Sequence, residues 1–260
     1  MLLKEENGLQ FFQFPDFNRF PQVVHGIFTR NGGFSRDGFK SLNVSVSVGD
    51  DENRVRQNRR RIAGCLGENE LVFVRQNHGS RVVRLQDNPG PAAGKTAVLM
   101  PAGDAIITDI AGKMLVIQVA DCQAVMLYDP VRKAVANIHS GWRGSVNNII
   151  GRTLKKMREK FGCCPQDMIA GVGPSLGPCC AEFVNYKSEL PETFWPYRDE
   201  RNCFDFWAVS RRQLREQGVL AENICAGGPC TRCNPHLFYS YRAEGRTGRF
   251  AAVIGLKSLT

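Results

Sequence analysis

The sequence lacks long hydrophobic runs. It has no stretch of about 18 apolar residues of the kind that spans a membrane. Its start, Met1 to Glu6, places two leucines directly before three charged residues, where a signal peptide would have an apolar segment. These absences argue against a membrane partner and predict a cytoplasmic protein.

Histidine is scarce, and the common local signatures of nucleotide and metal sites are missing. The chain has only four histidines. It contains neither a G-x-G-x-x-G turn nor a G-x-x-x-x-G-K-S/T phosphate loop, which argues against a doubly wound nucleotide fold. The H-x-E…P-C-x-x-C signature of cytidine-deaminase-type zinc enzymes is also absent. No local signature of these kinds therefore identifies a metal or phosphate site.

What the chain does have is an ordinary globular composition with a positive charge. Of its 260 residues, 43% are hydrophobic and 23% are charged, which predicts a single domain over residues 1–260. The formal charge is +9, but basic residues cluster only at 56–61 and 155–158, where the spacing is helical and a solvated face explains them. A nucleic-acid partner is therefore not favoured, and a small anion such as phosphate explains the charge at least as well.

Hydrophobic patterning predicts many strands with helices between them. Apolar runs bounded by turn residues predict strands at 23–28, 71–74, 81–85, 105–108, 114–119, 124–128, 134–139, 168–172 and 251–256. Apolar residues at three-to-four spacing predict helices at 50–65, 145–161 and 207–217, with a short one near 186–190. The alternation is irregular and no repeat is present, so the predicted fold class is α+β, a mixed α/β sandwich.

Three potential metal ligands lie at the ends of apolar runs. His78 and His139 each precede a glycine-containing polar turn, and Cys122 ends an apolar run directly after Asp121. Strand ends are where α/β folds concentrate reactive side chains. Two imidazoles and one thiolate form a three-ligand set, which in zinc enzymes leaves the fourth position for water and lowers the pKa of that water to about 7. Hydrogen-bonded structural histidines and a buried reduced thiol are the alternative explanation.

Eight segments resemble the YfiH family in their order and spacing. They are HGIFTRNGG at 25–33, SLNV at 41–44, GDD at 49–51, QNHG at 76–79, ADC at 120–122, HSGWRG at 139–144, GPSLGPCC at 173–180 and YSYR at 239–242. This family is labelled a polyphenol oxidase or laccase-domain family and is also described as purine nucleoside phosphorylases with adenosine deaminase and methylthioadenosine phosphorylase activity. The resemblance implies a YfiH-like (cysteine-hydrolase-like) sandwich.

The resemblance also implies a metal site and a reaction. Family members bind zinc through a His, Cys, His set, which by motif corresponds to His78, Cys122 and His139, with Cu²⁺ as an alternative ion. Cys122, His139 and Asp121 are the expected catalytic residues. The implied partners are phosphate and a purine nucleoside, namely adenosine, inosine or methylthioadenosine. The implied products are the free base and ribose 1-phosphate, and adenosine deamination is a further expectation. Asn77 replaces a common valine, which affects the polarity of the pocket and not the ligands.

Four further residues are expected to bind substrate. Arg30, Arg143 and Arg242 each lie in a segment that matches the family, and arginine is the natural clamp for phosphate. Asn43 is expected to form paired hydrogen bonds with base or ribose. For each arginine the alternative is a structural ion pair, and for the asparagine it is a turn cap.

Three other functions stay open. A cysteine hydrolase would use Cys122 as nucleophile beside Asp121, with His139 or His78 as base. A laccase-like polyphenol oxidase needs a type-1 copper site and a trinuclear copper cluster, for which four histidines are too few. A non-catalytic nucleotide- or metal-binding module would bind ligand without turnover. The oligomeric state is not indicated.

The other cysteines are predicted to be reduced. Ten cysteines without a secretion signal are typical of free thiols or metal ligands. Cys230 and Cys233 have C-x-x-C spacing, but no histidine is spaced as in a zinc knuckle, so packing or a redox-sensitive pair is favoured over a second metal site. The adjacent cysteines Cys179 and Cys180 are strained candidates for binding one ion together.

Overall fold

Two mixed β-sheets pack face to face in the computed structural model, which describes residues 1–67, 70–86 and 97–258. The strands are β1 Leu2–Glu6, β2 Leu9–Gln13, β3 Val23–Phe28, β4 Glu70–Arg75, β5 Val82–Arg84, β6 Ala97–Ala102, β7 Ala105–Thr108, β8 Lys113–Val119, β9 Gln123–Asp129, β10 Ala134–Ser140, β11 Ile169–Val172, β12 Ile224–Ala226 and β13 Phe250–Leu256. The helices are α1 Pro15–Asn18, α2 Glu52–Cys65, α3 Trp142–Val146, α4 Ile149–Phe161, α5 Tyr186–Glu189, α6 Phe206–Glu216 and α7 Tyr241–Glu244. Short 3₁₀ helices cover Asp37–Phe39, Pro165–Asp167, Glu192–Tyr197 and Ala221–Asn223.

Both sheets combine parallel and antiparallel pairs. The larger sheet has the order β1-β2-β3-β13-β8-β4-β6, and the smaller sheet has the order β12-β11-β9-β10-β7-β5. In the larger sheet β4 runs parallel to both β6 and β8. In the smaller sheet β5 runs parallel to β7, and β11 to β12. This topology confirms the predicted mixed α/β sandwich.

The sheets enclose a central core, and helices cover their outer faces. On β10, Val135 belongs to the core between the sheets, whereas Ala136 and Ile138 pack with residues of α4 and α6 on the outer face. Helix α2 packs on the outer face of the larger sheet. Because side chains of a strand alternate between its two faces, His139 lies on the inner face with Val135. Within the described parts of the chain, no helix has both the length and the apolar character needed to cross a membrane.

The predicted helix over 145–161 is wrong in one respect, because the structure has two helices there. Helix α3 ends at Val146, and α4 begins at Ile149. Between them Asn148 has a left-handed φ of 50°, and its side chain accepts a hydrogen bond from the Gly151 N–H at 3.0 Å. Asparagine tolerates this conformation and caps a helix well, so it starts a new helix.

The strands that patterning missed lie mostly at sheet edges. β1, β6 and β12 are each the outermost strand of their sheet. Every residue of β1 is exposed, and every residue of β12 is half-buried. An exposed edge strand such as β1 has no buried face, and so no apolar alternation to detect, and β12 has only three residues in which to show one.

Candidate metal centre

His78, Cys122 and His139 meet where strand ends of the two sheets converge. His78 follows β4, Cys122 lies in the turn between β8 and β9, and His139 is near the end of β10. Their ligand atoms all lie within 4.8 Å of one another. His139 is only 3% exposed, Cys122 is half-buried and His78 is exposed. The cluster is therefore closed on the His139 side and open to solvent on the His78 side.

Asp104 holds both histidines, and sequence reasoning missed it. Its side chain is fully buried, and its Oδ1 lies 2.8 Å from Nδ1 of His139. The same carboxylate accepts the backbone N–H of His78 at 2.8 Å and that of Gly79 at 2.7 Å. The left-handed φ of 59° at His78 is the local conformation in which these N–H groups converge on one acid. The one signal in the sequence was a lone acid directly before the fully apolar strand β7.

The geometry sets the protonation of the thiol and the imidazole. Burial by itself raises the pKa of Cys122, but the charge of His139 and hydrogen bonds from both histidines outweigh burial and lower this pKa to about 6. Burial by itself lowers the pKa of His139, but the Cys122 thiolate and Asp104 raise it to about 9. Burial also acts to raise the pKa of Asp104, but hydrogen bonding and the charge of His139 bring it below its ordinary value. Cys122 is thus held as a thiolate, the form that binds metal.

A buried asparagine links the two sheets beside the site. Asn137 lies two residues before His139 on the same face of β10, and it is fully buried. Its Nδ2 donates to the carbonyl oxygens of Leu115 at 2.9 Å and Ala252 at 2.8 Å, both on the opposite sheet. Because these bonds cross the core, they fix β10 against the strand that leads to Cys122.

Gly141 is required by the close approach of the ligands. A Cβ at this position would lie 3.0 Å from Sγ of Cys122 and 3.4 Å from Cδ2 of His78. Any larger side chain would therefore press directly on two of the three ligands.

The donor set fits a zinc ion. Two imidazoles and a thiolate are zinc ligands, three protein ligands with an open side are typical of catalytic zinc, and a carboxylate behind one histidine is the usual support.

The other two histidines lie elsewhere. His25 is buried and accepts the Phe14 N–H at 2.9 Å; burial lowers its pKa to about 4, although this hydrogen bond acts to raise it. His236 is exposed. The chain therefore lacks the histidines that a trinuclear copper cluster needs.

Asp121 lies next to Cys122, but its carboxylate binds neighbouring loops. Its Oδ1 accepts the Thr231 hydroxyl at 2.6 Å, and its Oδ2 accepts the Arg242 N–H at 2.6 Å. Its own carbonyl accepts the Leu176 N–H at 2.8 Å. The structure thus shows a positioning contact for each oxygen of Asp121, and its catalytic role stays a prediction.

Arg30 and Asn43, two of the four predicted substrate-binding residues, bind neighbouring parts of the protein. The Arg30 guanidinium donates to the Lys40 and Pro235 carbonyls at 3.0 and 2.9 Å and pairs with Glu244 at 2.5 Å. Asn43 is fully buried, donates to Asp50 at 2.8 Å, and accepts backbone N–H groups within its own loop and from the start of β13. These contacts match the structural alternatives for both residues, and their substrate roles stay predictions.

Two arginines are better placed to meet an anion. Arg143 is exposed on the first turn of α3, stacks over Trp142, and its guanidinium makes no hydrogen bond or ion pair with the described residues. Arg249 is half-buried, and its guanidinium donates to the carbonyls of Thr247 and Gly248 at 2.9 Å each. Burial lowers its pKa, while the charges of Cys122 and Asp121 act to raise it. Sequence reasoning missed Arg249. The fourth predicted residue is Arg242, and its guanidinium donates a hydrogen bond to the Glu182 carbonyl at 3.0 Å.

Comparison with known proteins gives one consistent family. The family described as multi-copper polyphenol oxidoreductase laccase matches residues 24–257. The purine nucleoside phosphorylase YlmD of Bacillus subtilis is 32% identical over 248 residues, which are 91% of this chain and 89% of the relative. The crystal structure of Bacillus licheniformis YfiH superposes with a TM-score of 0.86 at 29% identity and covers 98% of this chain and 99% of that one. The YlmD structure from Geobacillus stearothermophilus gives 0.85 at 30% identity, covering 98% and 99%. The chain therefore belongs to the laccase-like YfiH family.

Proposed function

We propose that this protein is a zinc-dependent purine nucleoside phosphorylase. Its substrates would be phosphate and adenosine, inosine or methylthioadenosine, and its products the free base and the corresponding ribose 1-phosphate. The observation that carries the proposal is the open three-ligand cluster of His78, Cys122 and His139, supported by Asp104. It occurs in a chain 32% identical to a protein named purine nucleoside phosphorylase.

Phosphorolysis sets clear demands on the residues around the cluster. A phosphate oxygen forms a bond to ribose C1′ while the glycosidic bond breaks, and the electron pair of that bond leaves with the purine. The phosphate needs positive charge, which the exposed Arg143, two residues after Gly141, and the half-buried Arg249 would supply. His78, Cys122 and His139 would hold zinc, which when bound supplies a Lewis acid. Asp104 keeps Nδ1 of His139 occupied, so that Nε2 is directed at the ligand position.

The test combines metal content with phosphate dependence. Protein purified without added metal is analysed for zinc and copper by mass spectrometry, and base release from inosine and adenosine is measured with and without phosphate. Cys122→Ala is compared with Cys164→Ala, a change at an exposed cysteine far along the chain from every ligand. The proposal expects phosphate-dependent base release and one zinc equivalent fewer in Cys122→Ala only. Base release that does not need phosphate, or none at all in the zinc-loaded protein, would refute it.

A cysteine hydrolase is the second candidate, and one observation favours it. Cys122, His139 and Asp104 stand in the order of a nucleophile, a base and the acid that orients the base, and the pKa of Cys122 is lowered to about 6. The two functions differ in whether the thiolate is free. Rapid alkylation of Cys122 by iodoacetamide in the protein as purified supports the hydrolase, and protection that a chelator removes supports the metal enzyme.

Adenosine deamination is proposed as an additional activity of the same centre. Its measurement is the conversion of adenosine to inosine in the absence of phosphate, which should be lost in Cys122→Ala.

A laccase-like oxidase is disfavoured because only two of the four histidines lie at the site. Turnover of any of these substrates would dismiss a purely binding module. The cytoplasmic location stays a prediction.

A further inference from the structure

Four cysteines from two distant loops converge away from the His78 centre. Cys179 and Cys180 follow β11, and Cys230 and Cys233 follow β12. Their four sulfur atoms all lie within 4.8 Å of one another, and all four are free thiols. Sγ of Cys233 is 3.5 Å from that of Cys180 and 3.7 Å from that of Cys179. The structure thus unites the two pairs that sequence patterning treated separately.

These separations match a single metal ion bound by four sulfurs. A zinc–sulfur bond is about 2.3 Å long, so the edges of a tetrahedral four-sulfur site measure about 3.8 Å. A disulfide would need about 2.05 Å between two of the sulfurs. Only one ion fits among sulfurs that are all mutually this close.

The backbone around the four-cysteine cluster prepares it for negative charge. The Gly177 N–H points at Sγ of Cys230 at 3.3 Å, a contact that favours a thiolate. Gly177 itself has no room for a side chain, since a Cβ would lie 3.1 Å from Cβ of Cys230 and 3.4 Å from Sγ of Cys179. The Arg242 guanidinium donates hydrogen bonds to the carbonyl oxygens of Cys180 and Glu182 at 3.4 and 3.0 Å. A cation therefore stands close to a site that would carry a net charge of −2 with a divalent ion.

Simple packing does not explain the cluster. Cys180 and Cys230 are buried, but Cys179 and Cys233 are exposed, so half of the sulfurs contribute little to an apolar core. A redox pair would use two of the thiols and leave the other two without a role. A four-ligand metal site uses all of them.

We propose that Cys179, Cys180, Cys230 and Cys233 form a second metal site that binds one thiophilic divalent ion of the zinc class. Four protein ligands leave no open position, so the site is structural and not catalytic. Binding replaces the thiol protons, which are released to solvent. The ion would tie together two loops that both contact Asp121, through the Leu176 N–H at 2.8 Å and the Thr231 hydroxyl at 2.6 Å.

The first test counts metal ions by site. The zinc content of reduced protein reconstituted with zinc is measured for the natural chain, Cys122→Ala and Cys233→Ser. We expect two equivalents in the natural chain and one in each variant. Replacing zinc with Co²⁺ should give the intense sulfur-to-cobalt absorption of four-thiolate coordination, retained in Cys122→Ala and lost in Cys233→Ser. A natural chain with one zinc and a Cys122→Ala variant with none would overturn the proposal.

The second test needs no variant and so does not depend on folding of a mutant. The natural protein is alkylated under native conditions with and without a strong chelator, and the labelled cysteines are identified by peptide mass spectrometry. Cys164 is exposed and serves as the internal control that reacts in both cases. Protection of the exposed Cys179 and Cys233 that the chelator removes supports the site. Labelling of both without chelator, or a mass two units lower from a disulfide between any of the four, refutes it.

Discussion

The two clusters of candidate metal ligands in this protein differ in what holds them. The His78 cluster joins strand ends of two sheets, combines nitrogen with sulfur, and has a fully buried acid behind it. The four-cysteine cluster joins two loops, offers only sulfur, and receives the Gly177 N–H at one of its sulfurs. The first cluster has three donors and a side open to solvent, whereas the second has the four donors that would fill a tetrahedral site.

This difference relates the number of metal donors, and the contacts that hold them, to whether a metal site would serve catalysis or stability. A reactive centre needs an open position and rigid ligands, and the His78 cluster meets both needs because it lies where two sheets meet and where Asn137 fixes their relative position. A structural ion needs four ligands and acts as a cross-link between loops, so it can be built from turns. Substitutions in the His78 cluster should therefore lower activity. The same substitutions should leave the metal content of the four-cysteine cluster unchanged.

The largest effect is expected for Cys122→Ala. Removal of the thiolate takes one of three ligands, and loss of a charge-stabilising group of this kind lowers rates by about 10²–10³-fold. Phosphorolysis of inosine is the assay, with Cys164→Ala as the matched control. If Cys122→Ala also released the metal of the four-cysteine cluster, the two sites would not be independent.

A smaller effect is expected for Asp104→Asn. The amide no longer supplies the charge that orients His139, and loss of such a partner weakens metal binding by about 10–100-fold. Asp129→Asn is the control, because Asp129 is equally buried and accepts two backbone N–H groups at 2.9 Å, yet lies at the far end of β9. Competition with a coloured chelator measures both affinities. Equal affinities in the two variants would show that Asp104 has only a structural role.

The Arg143→Ala substitution should weaken the binding of phosphate and leave the binding of nucleoside and metal unchanged. A hydrogen bond to a charged group contributes about 1.5–3 kcal/mol, so the KM for phosphate should rise by about tenfold or more. Metal content and the KM for inosine should stay unchanged. Arg56→Ala, an exposed arginine on α2, serves as control. An unchanged phosphate KM would instead direct attention to Arg249.

The smallest effect is expected for Gly141→Ala. The new methyl group presses on Sγ of Cys122 at 3.0 Å, and overpacking of this kind costs about 1 kcal/mol, or about fivefold in metal affinity. Gly64→Ala in α2 meets nothing within 4 Å and should raise the free energy of unfolding by up to about 1 kcal/mol. Chelator competition and thermal unfolding of both variants are the measurements. A Gly141→Ala protein with full metal affinity would show that the ligands have room to move.

Local pattern was sufficient for most buried strands and for the candidate ligands at their ends. The predicted strands 23–28 and 105–108 agree with β3 and β7 at both ends, because both segments are almost entirely buried and rich in aliphatic residues. His78, Cys122 and His139 were visible because polar residues directly after such runs mark where a buried strand meets solvent. The helix break at Asn148 and the edge strands were not predicted, because neither changes the apolar pattern along the chain.

The sequence by itself indicated most of the buried strands, the three candidate ligands and the family resemblance that joins them. Only the tertiary structure decided which acid supports the ligands, since Asp104 reaches His139 across 35 positions and Asp121 turns to the loops instead. The same holds for the four-cysteine cluster, whose two pairs are separated by 50 or more positions. Propensity and periodicity describe neighbours within a few residues, whereas a metal site depends on distances of a few ångströms between segments that sheet pairing brings together.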